Sequence, residues 1–299
     1  MKTGFVGIVG RPNVGKSTLL NAILGEKIAI TTDKPQTTRN TIRGIYTHYA
    51  GGQDEDDVQM IFIDTPGIHR PRNKLGEYMT DAAVGTFKEV DAIIFIVDEK
   101  LSRGPGDRYI LDMIKEVDTP KILVINKIDK MGPEEYAEVY KEYDDTRIFE
   151  KIIGTSAIKG ANVADVVKCA QGYMEEGPMY FPDDMITENP ERFIVSEIIR
   201  EKILMYLQEE VPHGVAVEIE RYKEEEKITK IGAVIYCEKK SHKGIIIGKS
   251  GRKLKGIGKS AREEIEALIG AKVFLELWVK VKENWRDSDI ALSNFGYKE

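Results

Sequence analysis

The sequence predicts an α/β fold: a P-loop domain with a doubly wound, mostly parallel sheet, followed by a smaller α+β unit. Three observations lead there. The apolar run Gly4 to Val9 is followed at once by a glycine-rich loop that opens a helical pattern. Short apolar runs then alternate with helical patterns as far as residue 176, as a parallel sheet with crossover helices requires. Beyond residue 191 the order changes to helix, strand, strand, helix, helix, strand.

Strands are expected near 4–9, 41–49, 58–63, 91–97, 120–125 and 148–155, with helices between them. The acidic stretch Gly51 to Asp57 reads as a solvated hairpin tip with no assigned function. Gly177, Pro178, Pro182 and Pro190, set among acids, mark 177–191 as a linker. The first domain is therefore 1–176 and the second, with a C-terminal tail, 192–299. In the second, a helix is expected over 192–209, strands near 214–222 and 228–237, and a short helix leading to Gly248-Lys-Ser-Gly251. A long helix to about 269 and a strand over 271–281 complete it.

Gly10-Arg11-Pro12-Asn13-Val14-Gly15-Lys16-Ser17-Thr18 is a phosphate loop in its required strand-to-helix setting. Glycines let backbone N–H groups wrap a β-phosphate, and the helix behind adds its positive end. Lys16 is placed to reach the β- and γ-phosphates and Ser17 to hold Mg²⁺. The run Lys121 to Ile125 ends in Asn126-Lys127-Ile128-Asp129, and a second run ends at Thr155-Ser156-Ala157. A carboxylate at Asp129 accepts from both N1–H and the 2-amino group of guanine. Adenine has no such pair of donors, which also counts against an ATPase. Lys127 would lie along the base, Asn126 tie the two loops together, and the N–H groups at Ser156 and Ala157 meet O6.

Between these ends, Val58 to Ile63 leads into Asp64-Thr65-Pro66-Gly67-Ile68, a second switch. Asp64 would hold Mg²⁺ through water and the Gly67 N–H sense the γ-phosphate. Gln36-Thr-Thr-Arg-Asn40 has no clean period and reads as a first switch, with Thr38 the expected second Mg²⁺ ligand and Thr37 the alternative. Ile68 stands where Ras-like proteins carry the glutamine that orients the attacking water. Isoleucine cannot do so. Two readings stay open: Ile68 packs the switch, and water positioning and charge neutralisation come from elsewhere.

The 299 residues suggest two domains, and 41% apolar content suffices for packed cores. Cys169 and Cys237, in no metal or redox spacing, suggest a reducing compartment. No signal peptide or membrane-length apolar run is visible, so a cytoplasmic protein is expected. The formal charge of −6 argues against a surface that coats nucleic acid generally, although charge is unevenly placed. Yet Lys239, Lys240, Lys243, Lys249, Arg252, Lys253, Lys255, Lys259 and Arg262 occur with no acid among them. That run surrounds Ile247-Gly248-Lys249-Ser250-Gly251, with apolar residues on both sides. The element order with its GxxG turn resembles a type II KH domain, in which such a turn clamps about four nucleotides of backbone. Ile247, Gly248, Lys249, Ser250, Gly251, Arg252, Lys253 and Lys255 are the expected RNA contacts. Of Trp278 and Trp285, one is expected in the core and the other free to stack.

With GRPNVGKS, KPQTTRN, DTPGIH, NKID, SA and IIIGKSG in place, the chain resembles the Era family of bacterial GTPases along its whole length. The resemblance implies a P-loop GTPase domain joined to a type II KH domain. It implies GTP hydrolysis with GTP/GDP and Mg²⁺, and binding to the 3′ end of small-subunit ribosomal RNA and to the small ribosomal subunit during its assembly. Peripheral contact with the inner membrane also comes with the family. Similar phosphate loops with a TTR-type first switch bind K⁺, which here would fall to Asn13, the carbonyls of Thr32 and Lys34, and Thr37. The alternative for Asn13 is bracing the loop by side chain to backbone bonds. The competing function is a signalling or cell-cycle switch acting through a protein or a membrane surface; the GxxG turn and acid-free basic run discriminate against it.

Overall fold

A computed structural model describes residues 1–51, 56–100 and 104–297. The expected hairpin tip at 51–57 lies largely outside them, since 52–55 are not described. The chain divides into two compact units: residues 1–29, 38–71 and 79–188 form the first, and 30–37, 72–78 and 189–299 the second.

In the first unit β1 (Lys2–Gly10) lies between β3 (Val58–Asp64) and β4 (Ala92–Val97), parallel to both, with Val6 opposite Phe62 and Ala92. β5 (Lys121–Ile125) and β6 (Lys151–Gly154) extend the parallel sheet, while β2 (Ile42–His48) adds antiparallel to β3. The order is β2-β3-β1-β4-β5-β6, and a short β7 (Glu175–Glu176), not foreseen from the sequence, pairs antiparallel with the start of β1. β3, β4 and β5 are buried along their whole length, because helices cover both faces of a parallel sheet and leave no polar side for alternation. Those helices are α1 (Lys16–Leu24), α2 (Lys74–Thr86), α3 (Pro105–Ile114), α4 (Pro133–Asp144) and α5 (Val163–Gln171). Proline opens α3 and α4 directly after glycine, where its missing N–H costs nothing.

The stretch read as a linker is tied down over its first part. Gln59, fully buried on β3, accepts the N–H groups of Tyr180 (2.8 Å) and Phe181 (3.0 Å) and donates to the Phe181 carbonyl (2.9 Å). Further along, Ile45 donates to the Ile186 carbonyl at 2.7 Å.

The second unit is built on α6 (Glu191–Tyr206), β8 (Val215–Glu225), β9 (Ile228–Cys237), α7 (Lys240–Ile247), α8 (Arg252–Ile269), β10 (Val273–Val281) and α9 (Asp289–Asn294). Its sheet runs β10-β9-β8, with β9 and β10 parallel and β8 antiparallel. Period-two alternation on β10 sends Val273, Leu275, Leu277 and Val279 into the core, where Ile257, Ala261 and Ile265 of α8 meet them at helical spacing. Of the two tryptophans Trp285 is the core residue, donating to the Gly214 carbonyl at 2.9 Å, while Trp278 is 45% exposed. Trp285 packs with Phe295 and Tyr297 beyond α9, an aromatic closure where the sequence had suggested only a tail. Among the described residues no helix is long and apolar enough to cross a membrane.

Candidate nucleotide and RNA sites

Gly10 and Gly15 hold the phosphate loop in backbone conformations that side chains rarely adopt (φ 157° and 104°), and Asn13 between them is also left-handed. A Cβ on Gly15 would lie 2.2 Å from Asn126 Nδ2, so the Asn126 amide presses against bare backbone. That amide donates to the Val14 carbonyl at 2.8 Å, and its oxygen accepts the Ala157 N–H at 3.0 Å. Lys127, itself at φ 61°, donates to the Asn13 carbonyl (2.6 Å) and to Asp98 (2.6 Å). Asp129 Oδ1 accepts from Ser156 Oγ at 2.6 Å, and that bond, more than nearby Lys159, holds its carboxyl below the usual range. The residues singled out for guanine thus converge on the phosphate loop. Arg11, part of the phosphate loop expected from the sequence, has its guanidinium on Asp107 (2.8 Å), Glu99 (2.6 Å) and Asp98 (3.2 Å), an acidic cluster that sequence reasoning missed. Buried Asp107, in the first turn of α3, was the one available signal: an acid inside an otherwise apolar face.

Lys16 Nζ donates to the carbonyls of Gly10 (3.2 Å) and Arg11 (2.8 Å). Burial pulls its pKa down to about 8, with Asp64 opposing. Ser17 Oγ donates to Asp64 Oδ2 at 2.6 Å and lies 2.8 Å from Thr38 Oγ1. Burial lifts the Asp64 pKa to about 6 against the pull of Lys16, Ser17 and Thr38. Its Oδ1 is buried with no hydrogen-bond partner. Two hydroxyls and a carboxylate with an open oxygen form a hard, all-oxygen donor set, which fits Mg²⁺. Thr38, rather than Thr37, belongs to this cluster; Thr37 Oγ1 donates to the Lys34 carbonyl at 2.6 Å and meets Thr32 Oγ1 at 2.6 Å.

In the stretch expected to be the second switch, Thr65 donates to the Ile8 carbonyl (2.8 Å) and the Ile68 N–H to the Gly10 carbonyl (3.2 Å). A Cβ on Gly67 would lie 2.7 Å from Pro12, so only glycine lets this backbone approach the phosphate loop. The Ile68 side chain is 1% exposed among Val9, Ile63, Ala83 and Phe87. It packs the core and offers nothing to a water.

In the second unit the turn after α7 puts Gly248 (φ 71°), Ser250 (φ 53°) and Gly251 (φ 73°) in left-handed conformations. Ile246 is buried while Ile247 and Leu254 are half-buried. From the turn, a groove of about 770 Å³ runs between α8 and β10, with Arg252, Lys255, Lys259 and Arg262 on one wall and Phe274, Leu275 and Leu277 on the other. Cations along one wall and apolar side chains along the other suit a single-stranded backbone with its bases turned inward. Lys249, Arg252 and Lys255 are exposed at its mouth and Lys253 is half-buried.

A family model described as a 50S ribosome-binding GTPase matches residues 5–127, and a KH domain model matches 210–286. The chain is 60% identical to GTPase Era of Alkaliphilus oremlandii over 298 residues, covering 99% of each, and 57% identical to GTPase Era of Clostridioides difficile, covering 100% of this chain and 99% of that one. Among solved structures, an Aquifex aeolicus Era variant bound to GDP·AlF4⁻ superposes over all of both chains with a TM-score of 0.93 at 40% identity. An Era complex with MgGDPNP and nucleotides 1506–1542 of 16S ribosomal RNA does so at 0.92 and 41%. By sequence over its full length and by fold in both units, this chain belongs to the Era family of GTPases.

Proposed function

We propose that this protein hydrolyses GTP as a molecular switch, binds the 3′ end region of small-subunit ribosomal RNA through its KH unit, and assists assembly of the small ribosomal subunit. The observation that carries the reading is the joining in one chain of the Asn126–Val14 frame with the Ser17, Thr38 and Asp64 cluster and a basic groove at a GxxG turn. Mg²⁺, when held by Ser17, Thr38 and Asp64, neutralises charge on the β- and γ-phosphates. Lys16 and the loop N–H groups hold those phosphates, and Asp129 selects guanine. Release of γ-phosphate frees Thr38 and Gly67, and the two switches relax.

Because Ile68 orients no water, hydrolysis is slow without a helper. K⁺ at Asn13, Thr32, Lys34 and Thr37 is that helper by resemblance to similar phosphate loops. The two free cysteines suit a reducing cytoplasm. The basic wall also suits anionic lipid at the inner membrane, a contact secondary to RNA because the groove's apolar wall suits bases. Two assays test the proposal: GTP turnover in K⁺ against Na⁺, and binding of an oligonucleotide of the 16S 3′ end against a scrambled one. Faster turnover in K⁺ and preference for the 3′ end are expected. Equal rates would remove K⁺, and no RNA preference would remove the ribosomal target.

A further inference from the structure

We propose that Asp98, the first residue past β4, is a positioning residue for the guanine nucleotide: it holds the Lys127 ammonium and the Arg11 guanidinium on its two oxygens and so fixes the Lys127 stem where the base packs. The inference rests on the proposed role of Lys127 in the guanine site.

The strand order puts Asp98 in place. β4 lies between β1 and β5, with Ile96 opposite Gly10 and Val97 opposite Ile125. The phosphate loop leaves the carboxyl end of β1, and Asn126 to Asp129 leave that of β5, so a residue just beyond β4 is flanked by both. On the β5 side the Asn126 N–H donates to the Val97 carbonyl at 2.8 Å. Between the two loops Asp98 Oδ2 accepts Lys127 Nζ at 2.6 Å, and Oδ1 accepts Arg11 Nη2 at 3.2 Å.

The two cations depend on Asp98 unequally. Arg11 also meets Glu99 and buried Asp107. Lys127 meets one carboxylate among the described residues, and its other acceptor is the Asn13 carbonyl at 2.6 Å. Two acceptors hold the far end of the stem, and a left-handed backbone at φ 61° sets its near end. A free lysine side chain has much rotamer freedom to lose on ordering. Anchored beforehand, Lys127 has little left to lose when a base packs along it, and such preorganisation strengthens binding. Charge matters here as well as shape. An amide at position 98 carries one accepting oxygen and one donating nitrogen, so either orientation turns an NH2 group toward a cation and leaves Lys127 without a charged partner.

The test is a double-mutant cycle on GDP affinity, measured on the full-length protein with Mg²⁺ present. Asp98→Asn, isosteric at a side chain that is 20% exposed, and Asp98→Ser as a second variant should each weaken binding about tenfold. Lys127→Met keeps an apolar stem without the ammonium, and in that background Asp98→Asn should cost less than about twofold more. Glu99→Gln takes a carboxylate from Arg11 and none from Lys127, and should stay within about twofold of wild type. An Asp98 that only supported the fold would cost the same factor in both backgrounds, and that result would overturn the proposal. So would wild-type affinity in Asp98→Asn, or a loss in Glu99→Gln as large as in Asp98→Asn. A wild type that does not bind GDP would instead overturn the proposed function.

Discussion

Asn126 donates its side-chain amide to the Val14 carbonyl across 2.8 Å, which ties the loop proposed to read the base to the loop proposed to hold the phosphates. In the proposed function, base selection rests on one carboxylate. Asp129→Asn inverts the hydrogen-bond pattern at the base. GTP affinity should fall at least about 100-fold and xanthosine triphosphate affinity rise in step. Competition binding measures both, and unchanged GTP affinity would remove the guanine assignment.

Ile68 sits in the core, so Ile68→Ala should cost about 2–4 kcal/mol of stability, visible as a lowered Tm. Its hydrolysis rate at a temperature where the variant is folded should stay within about tenfold of wild type. A larger loss in folded protein would mean that the residue acts on the attacking water after all.

Magnesium binding should follow pH with a defined sign. Asp64 has a pKa of about 6, raised by burial, and Mg²⁺ takes the carboxylate, so protons compete below that value. Affinity for Mg²⁺ with bound GDP should be flat above about pH 7 and fall toward tenfold per unit below 6. Lys16, lowered by burial to about 8, gives the opposite limb: nucleotide binding should weaken above pH 8 as its charge is lost. Titration by calorimetry with an Asp64→Asn control checks the acid limb, and the same slope in that variant would contradict it.

The loops that carry chemistry were legible in the sequence because each is a short local string at a strand end, as at Gly10 to Ser17 or Asn126 to Asp129. That the sheet is mostly parallel followed from the alternation of strands with helices. What was not legible depends on contacts far apart in the chain. Nothing in the helical pattern over 192–209 marks Glu197, Arg200, Glu201 and Lys202 as buried, because helical spacing ordinarily turns charge to solvent. Nothing in Gly177 to Glu188 announces that Gln59, about 120 residues upstream, holds it. The sequence offered Trp278 and Trp285 as one core and one exposed residue without saying which, because the partners of Trp285, Phe295 and Tyr297, lie in the stretch read as a tail.

Gln59→Leu should leave the Tyr180 and Phe181 N–H groups without their acceptor, at about 1–3 kcal/mol each where they stay buried. Limited proteolysis should then cut within 178–187 faster than in wild type, with GTP affinity unchanged. Equal cleavage rates would show that the stretch is held by other contacts.

In the proposed function one chain joins a GTP switch to an RNA clamp for the 3′ end of small-subunit ribosomal RNA. Its most direct test is equilibrium binding of a 16S 3′-end oligonucleotide, in the presence of a non-hydrolysable GTP analogue, to wild type and to the double variant Lys249→Asp, Ser250→Asp. Negative charge at the GxxG turn should weaken binding at least about tenfold through phosphate repulsion while GTP hydrolysis by the free protein is unchanged. Undiminished affinity in the double variant, or equal affinity of wild type for a scrambled oligonucleotide, would contradict the account.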